Sequence, residues 1–572
     1  MKDNTSISFK ASPMKKILLI GLPVAATFLM SLGIFISRMN ISGWVRIYGN
    51  DSFKAGSSGA FRIIARKGKL SKPVEKLQVE LSIDVDDNKV MLGKATMEPG
   101  EKAVNLNVLF PPLKEGDYKI NWNITTETGT ENWKSIIKLS SNPPELPRIL
   151  EEEGGEQDTN YTQLSSSSSK VDSLGNVISL HPYNGRGFRN RIRDILYVKA
   201  HEKSGKPLRA EISLEVKSGT IRIPKNVDCI PYLVPKELPK CMVEIKDGEK
   251  IPFKLTTDSL GLDSLTVYPM TSGVSFKINY SIKEGDSVRT GPQTEFDIGG
   301  LEDDVFIGYF SRIVPPEKNI SFPVTGLGNG PFWLDIYSKS QWVKGYTVPL
   351  ADYEGMATID TGGLYGMYKA QSSLSYLPLH NSMANTTFWV HPYLNDPKIV
   401  NEAVVEALKI KQMDDPTSDY LRYISENGLV WKSGYSVQDD IHFFGGLLDR
   451  YHYEVKLLKD TRKLRESKLN RTKRGGQLVI LSIIALSGII LVLTVFFAVF
   501  YSIRQRQKSI MDMSSIMADS DGNESFWANL HKSRDEIDAR RKAIAFGVII
   551  ASIVGFVIVA TIWLMIHVKW EM

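Results

Sequence analysis

Two cysteines come first among the residues whose chemistry can be read from type and spacing. Cys229 and Cys241 are the chain's whole complement, and they enclose IPYLVPKELPK, with prolines at 231, 235 and 239. In an oxidising compartment the pair would close a small loop, worth on the order of 3 kcal/mol through chain entropy. In a reducing compartment they would stay free thiols. No histidine stands at ligand spacing from them, so a tetrahedral zinc shell cannot be completed and no metal site is expected. The eight histidines (His181, His201, His380, His391, His442, His452, His531 and His567) are scattered, without an H-E-x-x-H pair, and the chain has no G-x-S-x-G elbow. Ser167 and Lys170 match S-x-x-K but lie in a serine run with no helical pattern around them. Gly326, Gly328 and Gly330 lack the strand-then-helix context that a nucleotide loop needs. Glu302, Asp303 and Asp304 offer the oxygen ligands of a hard cation, and read better as a solvated acidic turn. With no catalytic, cofactor-binding or metal constellation, a non-enzymatic protein without cofactors is expected.

Which compartment the cysteines meet depends on three apolar runs. Leu478 to Tyr501 and Ala543 to Ile566 contain no charged residue, and each is long enough for a helix to cross about 30 Å of hydrocarbon. The loop between them, 502–542, carries Arg504, Arg506, Lys508, Lys532, Arg534, Arg540, Arg541 and Lys542, whereas only Lys569 follows the last run. Short basic loops stay cytoplasmic, so this loop is expected inside. A further run, 17–36, follows Lys10, Lys15 and Lys16 and lacks an A-x-A-like cleavage site. It reads as an uncleaved anchor behind a cytoplasmic 1–16, with a removed signal peptide as the alternative. Residues 38–476 would then lie outside a cytoplasmic (inner or plasma) membrane that the chain crosses three times. One cluster opposes this orientation: Lys463, Arg465, Lys468, Arg471, Lys473 and Arg474 sit on the face assigned to the exterior, although the rule weakens after a long domain. Ala543, Gly547, Ala551 and Gly555 recur every four residues, a small-residue stripe that lets helix backbones approach closely.

Positioning falls to the exterior elements. From Trp44 the chain alternates apolar and polar residues in short runs (AFRIIAR, LQVELSID, VNLNVLF, YKINWNI, WKSIIKL) separated by turn residues, which predicts a β-sandwich over 44–140. Residues 141–180, with Pro143-Pro144, Glu151-Glu152-Glu153 and five serines, read as a flexible linker. Two further β-sandwiches are expected over 181–300 and 301–393. The period then changes over 394–476, which reads as a helical basic stalk: KIVNEAVVEALKIKQ is amphipathic, and a longer helix is expected from Val437 with Leu448, Tyr451, Val455 and Leu458 on one seam. That seam suits a short coiled coil or packing on the third sandwich, and Arg474-Gly475-Gly476 is expected to break it.

Several local patterns carry a resemblance. Phe53-Lys54-Ala55-Gly56 precedes a strand, a Pro73-led strand follows, and Pro111-Pro112-Leu113-Lys114-Glu115-Gly116-Asp117-Tyr118 opens a late one. Lys206-Pro207-Leu208 stands ahead of AEISLEV, with Thr256-Thr257-Asp258-Ser259-Leu260-Gly261-Leu262 after it. Pro331-Phe332-Trp333-Leu334-Asp335-Ile336-Tyr337 pairs with Gly362-Gly363-Leu364-Tyr365. These stretches resemble the β-sandwich domains of the macroglobulin type, whose motifs many immunoglobulin-like modules share. The resemblance implies fold and not activity, and the absence of a C-G-E-Q thioester means that covalent trapping is not implied. The expected fold class is a mainly β exterior of tandem immunoglobulin-like or macroglobulin-like sandwiches, plus an α-helical stalk and three transmembrane α-helices.

The net charge of +6 is a small excess over a balanced set and traces largely to the clusters flanking the apolar runs, which argues against nucleic acid as a partner. Expected partners are the lipid bilayer and other membrane or envelope proteins, and a homo-oligomer is compatible. The expected function is an envelope scaffold or an adhesion and assembly protein. A receptor or accessory subunit of a membrane complex is the alternative, and a membrane-tethered hydrolase the third.

Overall fold

Period-two alternation sets the faces of many of the strands. In Leu77–Val85 the residues Leu77, Val79, Leu81 and Ile83 all point into one core, and in Ala210–Ser218 the residues Ala210, Ile212, Leu214 and Val216 do the same in a second. A computed structural model describes residues 43–518 apart from short segments, the longest 151–169 and 374–383, together with helical residues within 31–36 and 537–559. The chain divides into two units, Gly43–Thr461 and Met1–Ser42 with Arg462–Met572.

The first sandwich opposes two five-stranded sheets. One runs Lys456–Asp460, Gly43–Gly49, Ser58–Lys67 and Lys72–Pro73, with Val104–Leu109 also on Ser58–Lys67; the other runs Ser52–Lys54, Gly129–Ser140, Gly116–Thr126, Leu77–Val85 and Asn88–Thr96. Phe53, Phe61, Ile63, Leu106, Ile120 and Trp122 fill the space between them. The second sandwich sets a six-stranded sheet centred on Asp194–Glu202 and Leu262–Pro269 against a five-stranded sheet centred on Ala210–Ser218 and Gly273–Glu284. A third sandwich sets Val305–Ile307, Asn319–Gly326 and Glu354–Asp360 against Ile313–Val314, Ala384–Val390, Gly366–Ser373, Phe332–Tyr337 and Trp342–Val348. Phe332–Tyr337 and Ala384–Val390 are buried at every residue, so both faces of this larger sheet are covered.

Helices α1 (Pro397–Leu408), α2 (Asp415–Glu426) and α3 (Val437–Leu448) follow. Asp396 caps α1 by accepting from the Lys398 N–H at 3.0 Å, and Pro397 fills the first helical position. The structure corrects the stalk. α3 stops at Leu448, and Tyr451 and Leu458 lie on the strands Tyr451–Tyr453 and Lys456–Asp460, so no seam exists. Tertiary pairing overrides the helical spacing. Tyr451–Tyr453 makes an antiparallel ladder with Arg148–Leu150, inside the segment expected as flexible linker, and Lys456–Asp460 pairs with Gly43–Gly49 at the edge of the first sandwich.

The expectation of three transmembrane helices is corrected as well: among the described residues no helix is long and apolar enough to cross a membrane. The stretch Leu478 to Tyr501 is no separate element, because α4 (Thr461–Ala518) runs through it as one helix from the basic cluster before it to Arg504 and beyond. Gly475-Gly476 does not interrupt it. The first apolar run and the third fall mostly outside the described residues, as do Ala543 and Ala551 of the small-residue stripe, while Gly547 and Gly555 are helical.

Candidate functional site

Charged side chains inside strands are where the sequence and the fold meet most sharply, since a buried charge must find a partner. Arg62 lies in Ser58–Lys67 on the face away from Phe61 and Ile63, and would be solvated on an isolated sandwich. Instead the strand Trp342–Val348 of the third sandwich packs over it. Arg62 Nη2 donates to Asp335 Oδ1 at 2.5 Å and Nε to Asn105 Oδ1 at 2.9 Å, with the guanidinium 4.5 Å from the Trp333 ring and 5.1 Å from that of Trp342. Burial pushes the Asp335 carboxyl up to about 6 even though Arg62 opposes the shift. Around the pair, Asn107 exchanges two hydrogen bonds with the Gly345 backbone at 3.0 and 2.8 Å, and Gln341 accepts from the Lys54 N–H at 2.9 Å while donating to Ser58 O at 2.7 Å.

A second junction joins the second sandwich, the third sandwich and α3. Arg312 and Asp449 are 0% and 1% exposed. Arg312 Nη2 donates to Asp449 Oδ2 at 2.7 Å and to Tyr183 O at 3.2 Å, and Nη1 donates to Thr387 O at 2.8 Å; the Thr387 N–H in turn donates to Asp449 Oδ1 at 2.6 Å. Burial disfavours the Arg312 charge, yet Asp449 raises the guanidinium above its ordinary range. Gly445 and Gly446 allow the close approach: a Cβ at Gly445 would stand 2.8 Å from Arg312 Cδ, and one at Gly446 2.7 Å from Tyr183 O.

Beside this pair His181, Pro182, Tyr183, Tyr197, His442, Phe443, Gly446 and Leu447 line a cavity of about 10 Å³, room for one water. His442 Nε2 faces the Tyr309 hydroxyl at 3.1 Å, and its buried Nδ1 has no protein partner. Burial, then Arg312 and Arg193, hold His442 well below the usual imidazole range, while burial raises Tyr183, Tyr197 and Tyr309. Both shifts favour the uncharged forms of the two rings.

Two further contacts seat the helices. Glu406 on α1 accepts from Arg148 Nη2 at 2.9 Å, Lys339 Nζ at 2.7 Å and Lys409 Nζ at 2.8 Å. Burial works against its charge, but these donors hold the carboxyl at about 2. On α2, Thr417 accepts from the buried Lys199 Nζ at 2.7 Å, and the Tyr420 hydroxyl donates to Leu260 O at 2.7 Å.

The residues singled out from sequence lie elsewhere. Cys229 and Cys241 are joined in the second sandwich, their Cα atoms 5.8 Å apart, between Ile221–Pro224 and Met242–Ile245. Arg222 grips the same loop, donating to Pro235 O at 2.8 Å, Lys236 O at 2.9 Å and Glu237 O at 3.2 Å. Replacing both cysteines by serine is expected to cost less than the ~3 kcal/mol that chain entropy alone suggests, because Arg222 still restrains the loop; a thermal melt of C229S/C241S against Arg222→Met in the same background checks it. Lys463, Arg465, Lys468, Arg471, Lys473 and Arg474 all lie in α4. Lys170 begins a short strand and Gly326 ends one, whereas Ser167, Gly328, Gly330, Glu302, Asp303 and Asp304 lie outside the described residues.

No protein-family model matches the chain, and no curated protein matches it. Among solved structures it is similar to trypsin-activated alpha-2-macroglobulin from Escherichia coli at 12% identity and a TM-score of 0.15, covering 62% of this chain and 24% of that one. Salmonella alpha-2-macroglobulin reacted with methylamine matches at 13% identity and a TM-score of 0.15, covering 62% and 23%. The BSP domain of a biofilm associated protein matches at 11% identity and a TM-score of 0.16, covering 64% and 70%. This chain thus spans about a quarter of the macroglobulin chains. Likenesses at these scores leave the β-sandwich architecture to rest on the sheets themselves.

Proposed function

We propose that the chain is a non-enzymatic extracytoplasmic scaffold or adhesion protein, in which three β-sandwiches of macroglobulin-like type act as one rigid body. The observation that carries this reading is the set of buried charges at the junctions. Arg62 pairs with Asp335 across the first and third sandwiches, and Arg312 of the third, paired with Asp449 behind α3, also donates to the Tyr183 carbonyl of the second. Flexible strings of modules do not bury ion pairs between neighbours, since inter-module contacts that must open are more polar and more hydrated. The joined cysteines favour an oxidising compartment.

Deleting Gly43–Thr461 in the producing cells and comparing the proteins that co-purify tests the reading. A scaffold or adhesion role expects the partner set to be lost with this unit. Retention of the whole set would instead assign assembly to the remainder of the chain and make an accessory subunit the better description.

A further inference from the structure

Tyr365 and Tyr393 are 66% and 70% exposed, yet the backbone of each is hydrogen-bonded by a side chain. The Tyr368 hydroxyl accepts from the Tyr365 N–H at 3.0 Å and donates to the Tyr365 carbonyl at 3.2 Å. His391 Nδ1 lies 3.2 Å from the Tyr393 N and 3.0 Å from its carbonyl oxygen, and one or the other bond forms according to tautomer. Strand register brings the two loops together: Gly366 pairs with Val390, so Tyr365 and His391 leave the sheet side by side. The His391 ring, itself largely covered, then stands between the two tyrosines with centroids 5.5 Å from Tyr365 and 5.9 Å from Tyr393. Its Nε2 faces Asp396 Oδ2 at 3.8 Å. Below the platform, Leu364 is buried and Gly363 takes a φ of +73° to turn the chain, so the loop presents Tyr365 outward.

We propose that Tyr365, His391 and Tyr393 form a carbohydrate-binding platform at one end of the third sandwich. Exposed aromatic rings carry a hydration cost that persists in the free protein, and here two of them flank one histidine, tilted 38° and 58° to its ring, on backbone that hydrogen bonds hold in place, which limits the ordering cost of a ligand that stacks on them. A pyranose has an apolar C–H face and a hydroxyl rim. The tyrosine faces suit the first, and the phenol hydroxyls, His391 and Asp396 suit the second. The chemistry does not suit an apolar protein patch, because the neighbours in sequence are Gly362, Gly363, Pro392, Asn395 and Asp396, with Leu394 the one exposed aliphatic side chain among them. A polyproline-type peptide would also stack on aromatic rings, but it docks in a lined groove, and these rings stand on an open end of the sheet. The platform goes beyond the scaffold reading and stands or falls independently of the buried junctions.

Native affinity electrophoresis of the full chain through gels containing glycol chitin, hydroxyethyl cellulose or galactomannan tests the assignment. Retardation by at least one polysaccharide is expected, weakened about tenfold by Tyr365→Ala and by Tyr393→Ala, the scale of one lost stacking contact, and kept by Tyr365→Phe. Both alanine variants lie on the surface, and a matching thermal melt shows that they are folded. No retardation by any of the three, or retardation that neither alanine variant changes, overturns the proposal. Preferential binding of a proline-rich peptide in an anisotropy titration overturns it too, and assigns the rings to peptide recognition.

Discussion

Asp449→Ala is expected to lower the unfolding free energy by about 3–5 kcal/mol, the cost of leaving a buried charge without its partner. Arg312 has no route to solvent, being 0% exposed, and its other acceptors are neutral: the carbonyls of Tyr183 and Thr387 and the Thr386 hydroxyl. The same substitution also strips the Thr387 N–H of its acceptor at 2.6 Å, so a second buried group is left unsatisfied. Replacing both members, as R312M/D449L, should cost much less, since removing the pair together leaves neither charge stranded. Urea unfolding of the full chain, followed by tryptophan fluorescence, reads both variants. Lys217→Ala, which breaks the surface contact with Glu295, serves as the comparison and should leave the transition in place. If Asp449→Ala shifts it no further than Lys217→Ala does, the junction is not what holds the sandwiches to α3.

Strand content was legible because it depends on local alternation, as in LQVELSID and AEISLEV, whose inward residues are the ones buried. Module junctions were not, and the reason differs from residue to residue. Arg62 follows the outward phase of AFRIIAR, where a cation normally meets water, and only the neighbouring sandwich makes it buried. Asp335 did carry a signal. It is the one charge in PFWLDIY, a run apolar on both faces, and a strand covered on both sides must provide a partner for such a carboxylate. Gly445-Gly446 inside a helical pattern likewise marked a close approach, though nothing in the sequence says to what. The stalk failed for a different reason. Leu448, Tyr451, Val455 and Leu458 keep helical spacing, yet Tyr451 and Leu458 lie on strands whose partners, Arg148–Leu150 and Gly43–Gly49, stand some 300 and 400 residues away in sequence, beyond the reach of any periodicity argument. Of the platform rings only Tyr365 stood in a pattern, Gly362-Gly363-Leu364-Tyr365, which carries the fold resemblance and says nothing of His391 or Tyr393.

Asp194→Asn is expected to become more stabilising, relative to the parent chain, as pH rises from about 4 to about 8. Asp194 Oδ1 accepts from the Tyr183 and Ile195 N–H groups at 3.0 and 2.7 Å, while Oδ2 is buried without a partner. Burial pushes this carboxyl up to about 7 from an ordinary 3.8, against the pull of those two hydrogen bonds. Between the two values the folded chain holds a proton that the unfolded chain has released. The stability tied to Asp194 is therefore fully present below about 4 and is lost as pH climbs through 7, a change on the order of 4 kcal/mol. Asparagine keeps the accepting oxygen and cannot ionise, so it removes the slope without removing the two backbone bonds. Asp440, raised to about 7 by burial and then by Asp258 and Asp439, acts in the same direction, while His442, depressed by burial, acts in the opposite one below about 6.5. The comparison therefore lies in the difference between variant and parent at each pH, where those shared contributions cancel. A difference that stays flat from pH 4 to 8 in urea unfolding would mean that Asp194 ionises in the folded chain as it does in the unfolded one, and that the Tyr183 turn beside Arg312 is open to water.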